Sequence, residues 1–425
     1  MKVQSNTSKF FIQQFKLESG ETLKDVEIAY STYGKLAEDG KNGILIFHAL
    51  TGSHLLAGNF SKENFPDIPW NEELEIGWWN EFVGPDKIID TNKYFVVCAN
   101  YLGGCYGSTG PNSQNLLSSK QYGFDFPGVS FKDIEISQKL LLDYLGVNHL
   151  EAVIGPSIGG LMALEFCTLF PSYVNKLISI SSGYKLSTLQ ILHNLEQAYI
   201  LDLSRDSTNR KSEYLSLARM IAHKTYISLD LLSSRAKSES LYDADLINGF
   251  LTSSQESYMM HQGQKFIERF TPESYNSIIK GWQNFNLEKS SLSKLKGIQT
   301  LVISVDSDVC FYPEEQREFV EILNDYIFVG SLKGDGNGVD SGSVYIFQYN
   351  GNQWQEISLL IPPNSQSDQL FSTDLKARGN SIFVSSPGSG THGHVYAYLP
   401  EASTDTWRLS SIIDYNDTST TSGST

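Results

Sequence analysis

A chain of 425 residues, 40% apolar and 12% aromatic, is long enough to bury a large core in two or three domains. Its formal net charge of −16 excludes a general affinity for nucleic acid or anionic membrane, since either needs a basic face. No run of about 18 apolar residues occurs, so no membrane helix is expected. The start, MKVQSNTSKFFIQQFKLESG, is too polar and interrupted for a secretory signal, and a cytoplasmic protein is expected. Cys98, Cys105, Cys167 and Cys310 fall singly, without CxxC or metal spacing, and read as reduced core thiols; no metal is expected.

The first clear strand signal is NGILIFHAL, followed by YFVVCAN, EAVIG, KLISISS and IQTLVISV. These runs are short, β-branched and apolar on both faces, as in a parallel sheet covered by helices. DIEISQKLLLDYLG, with apolar spacing near 3.6, predicts a helix before the EAVIG strand, and GGLMALEFCTLF predicts a buried one after it. The expected fold class is α/β, a doubly wound, mainly parallel sheet.

Between EAVIG and the buried helix stands GPSIGG. Strand, tight glycine turn and helix, in that order, are what a nucleophile elbow needs to lift the Ser157 hydroxyl above a sheet. An oxyanion in acyl transfer needs two backbone N–H donors, one after the nucleophile and one from a loop after an early strand. Ile158 supplies the first, and Leu50 in FHALTGSH is the best candidate for the second. His48, at the start of that loop, is expected to fix it by a hydrogen bond rather than to move protons; His54 has no evident partner. In SVDSDVCFYP a carboxylate follows a strand and precedes the helix PEEQREFVEILN, so Asp308 is the candidate acid, with Asp306 the alternative.

Near Asn324 the composition changes. From Tyr326 onward the basic residues are Lys333, Lys376, Arg378 and Arg408, and Gly, Ser, Thr and Asn dominate. IFVGS at Ile327 recurs as IFVSS at Ile382, GSVYIF at Gly342 as GHVYAY at Gly393, and Trp354 as Trp407, about 50 to 55 residues apart. Alternating runs separated by glycine loops predict antiparallel strands. Asp335, Asn337 and Asp340 in GDGNGVDSG lack the alternating acidic pattern of a calcium loop and read as a solvated turn. Residues 416–425 are polar enough to be disordered. Residues 1–324 are therefore read as one α/β domain with a helical segment at about 185–287, and 326–415 as two β repeats.

FHALTGSH, YFVVCANYLGGCYGSTGPNS, YGFDFPGVSFKDIEISQ, GPSIGGLMALE, ARMIAHKTY, SYMMHQGQKFIERF and VDSDVCFYPEEQ, in this order, resemble the homoserine O-acetyltransferases and their homoserine and serine O-acyltransferase relatives among the α/β hydrolases. The resemblance implies that Ser157 takes an acyl group from an acyl-CoA co-substrate and passes it to the hydroxyl of homoserine or serine, with no bound cofactor and with residues 185–287 as a lid. It leaves a homodimer open. It also implies an arginine for the acceptor carboxylate, at a position held here by Gln197; Arg219 and Arg269 are candidates to replace it, with structural ion pairs as the plainer reading. A further strand and a GHDAF-like motif would supply the triad histidine. Here DYIFVGSLKG follows Asn324, and the next histidines are His392, in a glycine loop, and His394, which takes the repeat position of Ser343. Transfer is therefore expected to be slow or absent. An esterase or deacylase, or an inactive hydrolase body carrying a partner-binding β module, are the alternatives. The tail resembles FG-GAP propeller blades, and its first strand, YIFVG, is expected to pair at the edge of the hydrolase sheet.

Overall fold

The structure, a computed structural model, describes residues 3–116, 118–207, 209–238, 253–295, 297–320, 327–332, 341–349, 354–362, 370–378, 381–387, 393–400 and 407–414. His392, Asp335, Asn337, Asp340, Asn324 and the segment 416–425 lie outside the described residues. Two compact units divide the chain: Met1–Gln299 with Val309–Phe311, and Thr300–Asp308 with Tyr312–Thr425.

The first unit opens with a long hairpin, β1 (Ser5–Lys16) and β2 (Thr22–Tyr33), paired from Ser5↔Tyr33 to Lys16↔Thr22. Sequence reading missed it. The side chains of SNTSKFFIQQFK are mostly exposed, so β1 carries little of the apolar signal that marks a strand. Next come β3 (Gly43–Ile46), the two-residue strands β4 (Val83–Gly84) and β5 (Ile89–Asp90), and β6 (Phe95–Ala99). A small ladder of β7 (Gln114–Asn115) and β8 (Lys120–Gln121) precedes α1 (Phe131–Tyr144). β9 (Leu150–Pro156), α2 (Ile158–Leu169) and β10 (Lys176–Ile180) follow. The order β1-β2-β6-β3-β9-β10 is antiparallel as far as β6 and parallel from β6 to β10. Every residue of β3 and β6 is buried, which is why GILI and FVVCA show no polar alternation.

Ser130 starts α1 with a capping box closed by Asp133. Inside the same helix Glu135 is fully buried and neither carboxylate oxygen has a hydrogen-bond donor. Glu165 on α2 interacts with it directly. Burial, reinforced by the Glu165 charge, raises the Glu135 carboxyl well above its usual range.

The 185–287 segment is helical where described: α3 (Thr188–Leu203), α4 (Lys211–His223), α5 (Leu229–Ser238), α6 (Ser254–Phe266) and α7 (Pro272–Gln283). A Ser187–Gln190 capping box opens α3, and Thr271 caps α7 ahead of Pro272.

In the second unit β11 (Gln299–Ser304, all but its first residue) precedes α8 (Pro313–Val320). β12 (Ile327–Ser331) runs parallel to β11, with Val302 opposite Val329. The first tail strand thus pairs beside the strand IQTLVIS, as expected from sequence. β13 (Ser343–Tyr349) and β14 (Trp354–Leu360) continue antiparallel from β12. A separate antiparallel sheet holds β15 (Leu375–Arg378), β16 (Ser381–Ser386), β17 (His394–Pro400) and β18 (Trp407–Asp414). The pairings repeat: Ile327↔Phe347 and Ser331↔Ser343 in the first sheet match Ile382↔Tyr398 and Ser386↔His394 in the second. A register shift falls at Ile346/Phe347 and again at Ala397/Tyr398. Val344, Ile346, Phe371, Val384 and Tyr396 share one buried cluster.

Candidate active site

Ser157 sits between β9 and α2 with φ 56° and ψ −128°, a conformation that is costly for a residue bearing a Cβ. Its N–H donates to Ile180 O on β10 at 2.9 Å. The flanking glycines are there for space. A Cβ on Gly155 would stand 2.0 Å from Gly159 O, and one on Gly159 would stand 2.5 Å from Phe47 O and 2.7 Å from His48 O. These neighbours are backbone atoms and cannot swing aside. Gly159 therefore lets the first turn of α2 lie against the loop that leaves β3.

That loop carries His48, Leu50 and His54, all buried. His48 Nδ1 lies 2.8 Å from Ala49 O, so the bond fixes the proton on Nδ1. Its ring stacks on Tyr101 with centroids 3.6 Å apart, and the Tyr101 hydroxyl donates to His48 O. Burial pushes the His48 imidazole down to about 4, and burial with the nearby His48 takes His54 to about 3. Both are neutral near pH 7. His48 thus ties the loop down, the role expected from its position. Ile158 is the first residue of α2, where helical amides lack intrahelical partners, and Leu50 lies within the loop.

Asp308, the candidate acid, follows β11 in the second unit, where its N–H closes a turn onto Val305 O at 3.0 Å. His394 lies on β17 opposite Ser386, as Ser343 lies opposite Ser331, so its position is that of a repeat residue.

Gln197 is 1% exposed on α3. Its Nε2 donates to His193 O at 3.1 Å, and its Oε1 accepts from the Tyr275 hydroxyl on α7 at 2.8 Å. It lines a cavity with His193, Asn194, Tyr226, Trp282 and Cys310. The two arginines considered as its substitutes have other partners. Arg269 pairs with Glu73 and donates to the Tyr106 hydroxyl at 3.0 Å and to Thr51 O. Arg219 has no ion pair among the described residues; its guanidinium lies over the rings of Phe266 at 4.8 Å and Tyr226 at 5.1 Å. Sequence reasoning did not single out Tyr101, Asn194 or Tyr275. An aromatic or amide residue on an apolar helix looks like ordinary core until its partner is known.

The elbow, the glycine-forced contact with the loop after β3 and the parallel strands around them define an α/β hydrolase, and a family model described as alpha/beta hydrolase fold matches residues 43–331. A homoserine O-acetyltransferase of Methanococcus vannielii is 41% identical over 324 residues, 72% of this chain and 63% of that protein. One of Moorella thermoacetica is 37% identical over 341 residues, covering 75% of this chain and 87% of its own length. The crystal structure of a homoserine O-acetyltransferase from Bacillus anthracis superposes with a TM-score of 0.65 at 24% identity, over 75% of this chain and 87% of that one. The chain belongs to the homoserine O-acetyltransferase family. It spans 63% to 64% of the length of several of the curated relatives it matches. Among the described residues no helix is long and apolar enough to cross a membrane.

Proposed function

We propose that this protein transfers an acyl group from acyl-CoA to the hydroxyl of homoserine or serine through an acyl-serine at Ser157. The strained Ser157 backbone carries the reading, because such strain persists where a hydroxyl must be held clear of the sheet. The hydroxyl attacks the thioester carbon, and the amides of Ile158 and Leu50 hold the oxyanion. The C–S bond then breaks and the CoA thiolate leaves; the acceptor hydroxyl attacks the ester carbon in turn, the bond from that carbon to Ser157 Oγ breaks, and the acceptor's proton restores the serine hydroxyl. Asp308 is the acid of the site, and Gln197 contributes to the substrate pocket. No bound cofactor is required, and a cytoplasmic setting suits a CoA donor.

The family's histidine would take the serine proton. Without it, turnover falls by several orders of magnitude, leaving what the oxyanion hole and binding supply. The test is mass spectrometry after incubation with acetyl-CoA or p-nitrophenyl acetate. An acetyl adduct on Ser157 that disappears in Ser157→Ala and is discharged by homoserine or serine supports transfer; discharge by water alone makes the protein an esterase. No adduct with either donor reduces the hydrolase part to a scaffold.

The two C-terminal sheets are FG-GAP-type propeller blades in this reading, supported by their shared register and shared bulge.

A further inference from the structure

The loop that carries Leu50 is fixed at one peptide in particular. Ala49 O accepts from His48 Nδ1 at 2.8 Å and from the Gly52 N–H at 2.9 Å. In a planar trans peptide the Leu50 N–H points away from that carbonyl, so the two bonds also fix the direction of the Leu50 amide. A flip of this peptide breaks both bonds and puts a carbonyl oxygen where the donor stood. The lock therefore depends on the aim of the His48 ring. Its Nε2 is buried without a partner among the described residues, which leaves the Nδ1 bond and the face of the ring to hold it.

That face lies on Tyr101. The ring centroids are 3.6 Å apart with planes 20° from parallel, and the Tyr101 hydroxyl donates to His48 O. One side chain thus grips both the ring and the carbonyl of His48. Tyr101 is 1% exposed and comes just after β6, whose Cys98 pairs with Ile46, the last residue of β3. It therefore stands beside the point where the loop leaves the sheet. Burial raises its hydroxyl well above the usual range, so it remains a donor.

We propose that Tyr101 is a positioning residue for acyl transfer: by holding the His48 ring and carbonyl it keeps the Ala49–Leu50 peptide from flipping, and so keeps the Leu50 N–H available to the oxyanion. This rests on the acyl-serine reading above. Tyr101 acts through His48 rather than on the reacting atoms.

The test is fluorine NMR of the full chain with trifluoromethyl ethyl ketone. The Ser157 oxygen adds to the ketone carbon, the serine proton passes to the former carbonyl oxygen or to water, and that oxygen ionises where the oxyanion of transfer forms. No leaving group is involved, so slow turnover does not mask the signal. Tyr101→Phe keeps the stack and loses the hydroxyl. The pH at which its adduct ionises should rise by about one unit, about a tenfold loss of oxyanion stability, against about 10² to 10³ for a donor removed outright. Tyr101→Leu loses the stack as well and should raise it further. If Tyr101→Phe does not fold, His48→Phe keeps the stack, breaks the bond to Ala49 O and should raise the ionisation by at least as much. Unchanged ionisation in the folded variant, even with lower stability, makes Tyr101 an ordinary core residue and overturns the assignment. A wild type that forms no more hemiketal than Ser157→Ala overturns the acyl-serine reading itself, and the assignment with it.

Discussion

The Tyr275 hydroxyl on α7 donates to Gln197 Oε1 on α3 at 2.8 Å, between side chains that are 0% and 1% exposed. Because Gln197 also donates to His193 O, its amide has a single orientation. Gln197→Leu removes the acceptor of the buried Tyr275 hydroxyl and is expected to cost about 1 kcal/mol. Tyr275→Phe strands Oε1 instead and should cost about as much. The double variant should cost less than the sum of the two, by about 1 kcal/mol, in urea unfolding. Additive losses would mean that the pair does not interact.

Ser157 holds its backbone at φ 56°, a strained conformation for a residue with a Cβ. Ser157→Gly removes the Cβ at φ 56° and is expected to stabilise the protein by about 1 kcal/mol, whereas Ser157→Ala keeps the Cβ and should stay within about 0.5 kcal/mol of the wild type. Both should lose the acyl adduct. Thermal unfolding of the pair separates strain from chemistry, and a glycine variant no more stable than the alanine one would remove the strain argument.

The elbow was legible because Gly155, Ser157 and Gly159 stand between an apolar run and an apolar helix, so local sequence already specifies the turn. The loop role of His48 was legible for the same reason, since its hydrogen-bond acceptor is the next residue. Tyr275 was not, because its partner is 78 residues away and nothing local marks the contact. The β1 hairpin escaped because an exposed edge strand has almost no apolar pattern. The place of β12 could be inferred only from the need to cover an edge. The compact units divide at Gln299/Thr300, upstream of the composition change near Asn324, because β11 pairs with β12 and Leu301 packs against the tail's core.

Gly159→Ala should be far worse than an ordinary helix Gly→Ala change, which would favour helix formation. Its methyl would lie 2.5 Å from Phe47 O and 2.7 Å from His48 O, so either α2 or the loop after β3 must move. A destabilisation of about 1 to 3 kcal/mol is expected from this overpacking, together with loss of Ser157 acylation as Leu50 is displaced. Retained acylation at wild-type rate in a folded Gly159→Ala protein would show that the Leu50 amide is not part of the oxyanion hole.

Glu135 gives the fold a pH dependence of definite sign. Burial and Glu165 raise its carboxyl in the folded state above the ordinary 4.5, opposed by Lys132 and assisted by Glu18. Stability from the protonated form is fully present below the unfolded value and is lost as pH rises through the folded one. Glu135→Gln keeps the shape without an ionisable proton. The variant should match the wild type near pH 4 and exceed it by about 1 to 3 kcal/mol at pH 8, as read from urea midpoints across that range. A constant difference would show that folding does not raise the Glu135 carboxyl.

Val329 is the residue through which the tail joins β11. It stands opposite Val302 on one side and Tyr345 on the other, 6% exposed, so β12 is an interior strand between β11 and β13. Proline is confined to sheet edges, because it removes a ladder N–H and fixes φ. Val329→Pro should therefore cost about 3 kcal/mol or more and free the backbone of β11 as well as that of β13. Hydrogen exchange reads both: amide protection at Val302 and Ile303 should fall together with that at Val344 and Tyr345. If β11 stays protected while β13 opens, β12 belongs to the tail alone and the β11 edge is covered by something other than Ile327–Ser331.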